Sequence, residues 1–158
     1  MNGKIVRSTG FSLLEVLIVV LVIGILAVAI IPQLSNTKSE AQVATARFNL
    51  RTIRSQIELY KLQHEGRVPS ADLHELTGYT NSTGAYTTEA GPSFPYGPYF
   101  ISLPMNPLAR SRAIGPAPAD GGMPAAAVSG FGWLYDATTG KIWCNDLSNP
   151  PQVPFSQQ

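Results

Sequence analysis

An uninterrupted apolar run near the N-terminus constrains this chain more than any other feature. From Val16 to Ile31, sixteen residues carry no charge and no hydrogen-bonding side chain. With the preceding segment from Phe11 the run is 21 residues long, and about 20 residues suffice for a helix to cross a bilayer. The sequence therefore predicts a helix over 11–31 that is apolar on every side and must be covered by lipid or by other chains.

One carboxylate, that of Glu15, lies at the start of this run. A carboxylate at the middle of a membrane costs about 2.5–3.5 kcal/mol and less near an end, so it needs a partner. If the chain is cut after Gly10, the new α-amine of Phe11 lies one helical turn from Glu15. The two groups could then pair within one chain or between neighbouring chains. The alternative is an unpaired Glu15 that extends to the membrane interface.

The distribution of charge orients the run. Lys4 and Arg7 precede it, and the first ten residues contain no acid. The positive-inside rule then puts the N-terminus in the cytoplasm and the chain beyond Pro32 on the other side. The totals of 11 Lys and Arg against 10 Asp and Glu give no basic excess, so we expect no nucleic-acid partner. Cys144 is the sole cysteine; we expect it to be a small buried hydrophobe.

Apolar residues return with helical spacing beyond Pro32, which we expect to kink the helix because proline lacks a backbone donor. One stripe is formed by Val43, Ala46, Leu50, Ile53, Ile57 and Tyr60. This spacing predicts an amphipathic half over 32–62. A single helix then extends from Phe11 to about Leu62, with Arg54 and Glu58 as an i,i+4 ion pair on its surface.

Residues 63–158 predict a globular head. Its clearest element is a hairpin over 131–145, whose aromatic and β-branched strands flank a five-residue loop that ends in Gly140. We expect this small antiparallel sheet to pack on the apolar stripe, which gives an α+β fold.

The rest of the head is richer in loops, over 77–130. We expect Ser70 to cap a short helix over 71–76, Tyr99 to Leu103 to form a short strand, and 111–130 to be an irregular loop.

Catalytic and metal motifs are sparse. His64-Glu65 and His74-Glu75 each lack the second histidine of a zinc-protease helix. With two His and one Cys in the chain, we expect neither an enzyme nor a bound cofactor. Calcium is the one cofactor considered: its oxygen ligands could come from the hairpin region, namely Asp120, Asp136, Asn145 and Asp146. Turn formation is the alternative role of these residues.

The N-terminal segment resembles the class III signal of type IV prepilin-like proteins. The matching residues are the short basic leader over 1–10 that ends in Gly10, then Phe11, Glu15, the apolar run and Pro32. The resemblance implies a pilin-like fold and cleavage between Gly10 and Phe11 by the membrane-embedded prepilin peptidase. It also implies methylation of the Phe11 amine, and a helical filament in which Glu15 pairs with the Phe11 amine of a neighbour.

Two later segments are similar to the major pseudopilins of type II secretion: QHEGRVPS at 63–70 and PYFISLPMNP at 98–107. That family implies a subunit of a secretion pseudopilus in the bacterial inner membrane, with a single span and a periplasmic head. The implied partners are copies of itself, minor pseudopilins, the assembly platform and a cytoplasmic ATPase. The family's calcium loop is not clearly matched, and the cysteine pair common in type IVa pilins is missing.

Charge is divided between the two parts of the chain. Residues 33–62 carry five basic and two acidic side chains, whereas 63–158 carry four and seven. We therefore expect Arg47, Arg51 and Arg54 to face acidic heads of adjacent subunits. The alternative is an ordinary solvated helix face.

Three other functions remain open at this point. A type IV pilin for adhesion, motility or DNA uptake would share the N-terminal motif. An ordinary exported protein would be cleaved by signal peptidase at the small-x-small site of residues 27–29, although Glu15 fits poorly in such a signal. A single-span enzyme or binding module is the third, and no site residues favour it.

Overall fold

The computed structural model describes residues 10–118, 122 and 124–147, with side chains left out over 28–39. The predicted leader up to residue 9, Asp120 and the C-terminal tail from 148 lie outside the described residues. The chain divides into two compact units, Met1–Glu40 and Ala41–Gln158.

One long helix, α1, spans Leu13–Gln63 over 51 residues. It begins two residues after the predicted start, and its end agrees with the prediction. The helical assignment includes Pro32, and the bend expected there stays a prediction.

The second unit is built around the apolar stripe of α1. The stripe residues Ala46, Leu50, Ile53, Ile57 and Tyr60 are all buried, with Val43 packed against them. The rest of the cluster comes from the head: Leu73, Leu76, Trp133, Tyr135, Ile142 and Cys144. Burial of each large side chain stabilises the fold by roughly 1.5–3 kcal/mol, so the predicted stripe is confirmed as one side of the core.

The predicted hairpin is confirmed, but its sheet is mixed rather than purely antiparallel. Strands β4 (Trp133–Asp136) and β5 (Lys141–Cys144) pair antiparallel, with Trp133 opposite Cys144. On the other side of β4 lies β3 (Ile114–Pro116), which pairs with β4 in parallel. The sheet order is therefore β3-β4-β5.

Strand β3 falls inside the segment predicted to be an irregular loop. Pro116 is compatible with a strand only because β3 is an edge strand. Gly115 is needed for close packing: a Cβ there would come within 2.7 Å of the Phe131 ring. Gly115 and Pro116, which predicted a loop, are therefore both compatible with a short edge strand.

Two other local predictions were wrong. The segment 99–103 is not a strand; the backbone N–H groups of Tyr99 and Phe100 both donate to the carbonyl of Leu76. Tyr99, Phe100 and Leu103 pack on the core from a loop, whereas Ile101 is fully exposed. The loop-rich region predicted over 77–130 contains a two-stranded ladder of β1 (Tyr79–Thr80) and β2 (Tyr86–Thr87).

The predicted short helix is one 3-10 turn over His74–Thr77, and Ser70 does not cap it. Leu73 precedes the turn in the left-handed region, at φ 57°. The Ser70 hydroxyl instead approaches side chains of the turn, with Glu75 at 2.7 Å.

Candidate functional site

The first turn of α1 presents the residues of the predicted processing site. Gly10 and Phe11 precede the helix, and the Phe11 side chain is 82% exposed. The helix begins with a bond from the Val16 N–H to the Ser12 carbonyl at 3.2 Å. Glu15 lies in that first turn, where its negative charge is favourable because the helix dipole is positive at this end.

Glu15 has no ion-pair partner within the described part of the chain. Its neighbours are Phe11, Val16 and Val19, with which it lines a shallow apolar depression on the helix surface. A carboxylate placed in such surroundings is stabilised by an approaching amine. Phe11 and Glu15 therefore line the same depression, and the pairing of the Phe11 amine with Glu15 stays a prediction.

The first half of α1 is apolar and uncovered. Every large apolar side chain described from Leu13 to Leu26 is between 46% and 84% exposed: Leu13, Leu14, Val16, Leu17, Ile18, Val19, Val20, Leu21, Val22, Ile23, Ile25 and Leu26. Contiguous apolar surface of this extent marks an interaction surface with protein or lipid.

Among the helical residues whose side chains are described, no stretch combines the length and hydropathy that a bilayer crossing requires.

The three arginines proposed to face neighbouring subunits occupy different environments. Arg51 is exposed, and Arg47 is half-buried with no hydrogen-bond partner for its Nε among the described residues. Arg54 is bound within its own chain, since its Nη2 and Nε donate to the Ile142 carbonyl at 2.7 and 3.3 Å. Burial lowers the pKa of Arg54. Of the three, Arg51 is the one whose side chain is open to a partner.

The predicted ion pair between Arg54 and Glu58 is wrong. Glu58 pairs with Lys61 at 2.9 Å instead, because the Arg54 guanidinium is directed towards strand β5.

Three of the four residues considered for calcium are described, and all three are buried. The Asp136 carboxylate accepts bonds from the Thr138 N–H and the Thr139 hydroxyl, and these bonds lower its pKa although burial opposes them. The Asn145 amide donates to the carbonyls of Val128 and Phe131. Asp136 thus has the turn-forming role that was the alternative, and calcium binding stays a prediction.

Cys144 is fully buried, as expected. Burial raises the pKa of its thiol to about 12. The thiolate that would react is therefore strongly disfavoured.

Sequence reasoning missed two polar residues that hold the head together. Asn106 is fully buried, and its Nδ2 donates to the carbonyls of Gly132 and Asn145 at 2.6 and 2.9 Å. His64 is also fully buried: Nδ1 donates to the Tyr60 carbonyl, and Nε2 accepts from the Thr80 hydroxyl. Apart from Tyr60, these bond partners of the Asn106 Nδ2 and the His64 ring are all at least 16 residues away in the sequence. No local sequence pattern therefore indicates these roles.

A third feature involves four polar side chains between residues 70 and 75. The ligand atoms of Asp72, His74 and Glu75 all lie within 4.8 Å of one another. Hydrogen bonds from His74 and Ser70 lower the pKa of Asp72 to about 2. The zinc-protease pattern of two histidines on one helix is absent from this segment. The 3-10 turn and the residues just before it bring these side chains together instead.

An apolar helix with a processing-type N-terminus, followed by an α+β head, defines the class of type IV pilin-like proteins. Residues 6–31 match the family described as the prokaryotic N-terminal methylation motif. No solved structure matches the chain.

Three curated relatives are similar to this chain. A type II secretion system core protein G of Pseudomonas aeruginosa is 33% identical over 58 residues, 37% of this chain and 41% of that protein. The protein of the same description from Aeromonas hydrophila is 31% identical over 101 residues, 64% of this chain and 68% of that protein. A ComG operon protein 3 homolog of Bacillus licheniformis is 33% identical over 73 residues, 46% of this chain and 75% of that protein.

The chain belongs to the pilin-like family of the type II secretion system core protein G, the major pseudopilins. It spans about two fifths of the length of the Pseudomonas relative.

Proposed function

We propose that this chain is the structural subunit of a type II secretion pseudopilus, which polymerises from the inner membrane to help export folded proteins. The observation that carries the proposal is the uncovered apolar first half of α1, which begins beside Phe11 and Glu15. A side chain exposed to this extent needs a partner surface. Lipid before assembly and neighbouring copies after assembly would both supply one.

Processing is the first step of the proposed function. Prepilin peptidase cleaves between Gly10 and Phe11, and the new amine of Phe11 is then methylated. The exposure of both residues supports this step, since a peptidase must reach an extended, uncovered bond. The head then lies in the periplasm and the N-terminus faces the cytoplasm, with one span over 11–31.

Assembly is the second step. The Glu15 carboxylate pairs with the Phe11 amine of a neighbouring subunit, which neutralises both charges in apolar surroundings. Pro32 provides the point at which the helix bends as it enters the filament. A cytoplasmic ATPase, the inner-membrane platform and minor pseudopilins drive and begin the polymerisation. This chain is the material on which they act, and carries no catalytic role of its own.

A pilus or competence filament is the second candidate, and one observation favours it. The relative from Bacillus licheniformis is named for a ComG operon, and the chain covers more of its length than of the secretion relatives reported above. The two candidates share every step up to the filament and differ in what the filament serves.

The experiment has two arms. Mass spectrometry of the N-terminal peptide from the mature chain should find N-methylated Phe11; a start at Ile30 would indicate conventional signal cleavage, and a retained Met1 would contradict processing altogether. In a strain that lacks this chain, folded exoproteins should then accumulate in the periplasm. Normal secretion with lost DNA uptake or surface fibres would instead support the second candidate.

A further inference from the structure

The head contains a compact group of ligand-type atoms that the assembly function does not use. It comprises Ser70 Oγ, Asp72 Oδ1, His74 Nδ1 and Glu75 Oε2, which we call the Ser70–Glu75 cluster. His74 Nδ1 lies 2.6 Å from Asp72 Oδ1, 3.0 Å from Ser70 Oγ and 3.7 Å from Glu75 Oε2. Ser70 Oγ lies 2.7 Å from each of the two carboxylate oxygens. Four potential ligand atoms therefore lie within 4.8 Å of one another.

The cluster has too few protons for its own contacts. Ser70 Oγ carries a single hydrogen but lies at bonding distance from both carboxylates, and His74 Nδ1 carries at most one. Two protons at most serve the four contacts of 3.0 Å or less. The four contacts therefore share hydrogens rather than each having one of its own. A cation at the centre would need no hydrogen, because every atom in the cluster can donate a lone pair to it.

The burial of Glu75 adds to this argument. Glu75 is only 7% exposed, and its carboxylate receives the Ser70 N–H at 3.1 and 3.2 Å. Within the described residues its one contact with a potential cation is that with His74 at 3.7 Å. A buried carboxylate without a close opposite charge is costly, and a metal ion at the cluster would supply that charge.

The identity of the ligands selects the kind of ion. One imidazole nitrogen and two carboxylates suit Zn²⁺, which binds nitrogen at about 2.0–2.1 Å and carboxylate oxygen at about 2.0–2.2 Å. Ligand atoms around a tetrahedral zinc lie about 3.4 Å apart, so the short contacts need to open by less than about 1 Å. Calcium prefers six to eight oxygens and disfavours an imidazole.

We propose that the Ser70–Glu75 cluster binds Zn²⁺ or a similar divalent transition metal, with His74 Nδ1, Asp72 and Glu75 as ligands and Ser70 Oγ as the fourth. Asp72, which is exposed, also forms part of the wall of a neighbouring cleft of about 370 Å³. The ion would tie Ser70 to the 3-10 turn and so fix the segment that follows α1. All four ligands lie within the six-residue segment 70–75, so the site is formed by one stretch of the chain.

The presence of only two histidines makes the test direct. The full chain in detergent micelles, uniformly ¹⁵N-labelled, is titrated with ZnCl₂ in a buffer that contains millimolar CaCl₂ to fill any oxygen-only site. Histidine ring spectra should show a large shift of the His74 Nδ1 resonance and little change for His64. His64 serves as the internal control because both of its ring nitrogens are bonded inside the protein.

Variants then assign the ligands. Isothermal titration should give at least tenfold weaker zinc binding for His74→Gln and for Asp72→Asn, whose side chains are both largely exposed and tolerate substitution. Glu89→Gln is the matched control: it removes an exposed acid outside the cluster and should leave the affinity unchanged. Lowering the pH from 7.5 to 5.5 should also weaken binding, since protons compete for the ligands.

Two results would overturn the proposal. One is the absence of any His74 ring shift at a tenfold excess of Zn²⁺ over protein. The other is zinc binding of equal strength in His74→Gln, Asp72→Asn and the Glu89→Gln control, which would mean adventitious surface binding only.

Discussion

The two halves of α1 have the same backbone conformation but opposite surroundings. In the first half the apolar side chains from Leu13 to Leu26 are exposed. In the second half the side chains of Leu50, Ile53 and Ile57 are buried against the head. The pattern of apolar residues explains the difference. A narrow apolar stripe is covered by one packed surface, whereas a helix that is apolar on every side is covered only when lipid or protein surrounds it. The chain therefore has one region whose apolar side chains are buried within it and one whose apolar side chains are exposed.

The largest expected contrast comes from equivalent truncations in the two halves. Ile53→Ala should lower the free energy of unfolding of the head by about 2–5 kcal/mol, because it leaves a cavity in the core. Leu17→Ala should change it by less than about 0.5 kcal/mol, since Leu17 is exposed. Denaturant unfolding followed by tryptophan fluorescence measures this, as both tryptophans lie in the head. Equal destabilisation by the two variants would contradict the division.

Within the head, buried Asn106 should matter next most. Asn106→Ala removes the Nδ2 donor from the carbonyls of Gly132 and Asn145, although Gly132 still accepts from the Asn145 N–H; the expected loss is about 1–3 kcal/mol in unfolding free energy. Asn49→Ala is the control, because Asn49 is half-buried and also donates to a carbonyl, that of Met105, but through an exposed bond. We expect it to cost under about 1 kcal/mol, and a loss as large as that of Asn106→Ala would refute the role of burial.

The two arginines separate stability from assembly. Arg54→Met removes two donors from the Ile142 carbonyl and should lower the unfolding free energy by about 1 kcal/mol. Arg51→Glu, at an exposed position, should leave the head's stability unchanged but reduce the yield of filaments, most of all at low salt where charge is least screened. Unchanged filament yield at every ionic strength would remove Arg51 from the interface.

The smallest expected effect is a dependence on pH at Asp72. Its pKa is lowered from 3.8 to about 2, so its ionised form stabilises the head above pH 4, and this stabilisation is lost as the pH falls towards 2. Because Asp72 is largely exposed, the contribution should be under about 1 kcal/mol. Wild type should therefore lose slightly more stability than Asp72→Asn between pH 4 and pH 2; identical pH profiles would contradict the shift.

The sequence predicts what periodicity and composition control. The length of α1 and its buried stripe follow from repeated spacing, and the hairpin follows from aromatic and β-branched runs on either side of a loop that ends in Gly140. Each of these signals reports on one element at a time. Strand β3 could not be predicted in this way, because its three residues include Gly115 and Pro116 and owe their conformation to pairing with β4. Strand propensity is a property of single residues, whereas the conformation of an edge strand depends on the strand with which it pairs.

The candidate sites divide in the same manner. Phe11 and Glu15 drew attention because they are close in sequence, and they line one depression in the structure. Arg54 was assigned to a helix-surface pair, but its real partner is 88 residues away in the sequence. The Ser70–Glu75 cluster includes the left-handed backbone of Leu73. This conformation is uncommon for leucine, so the residue type does not predict it. Contacts set by the tertiary fold or by an unusual backbone angle leave no periodic signal.

The most direct measurement of the account is the filament yield of Glu15→Leu. Mass spectrometry first verifies that this variant is trimmed to Phe11 like wild type, so that processing is not the cause of any defect. We expect assembly to be lost, because the Phe11 amine of each incoming subunit no longer finds a carboxylate in its apolar surroundings. Normal fibres from correctly trimmed Glu15→Leu chains would contradict the central claim.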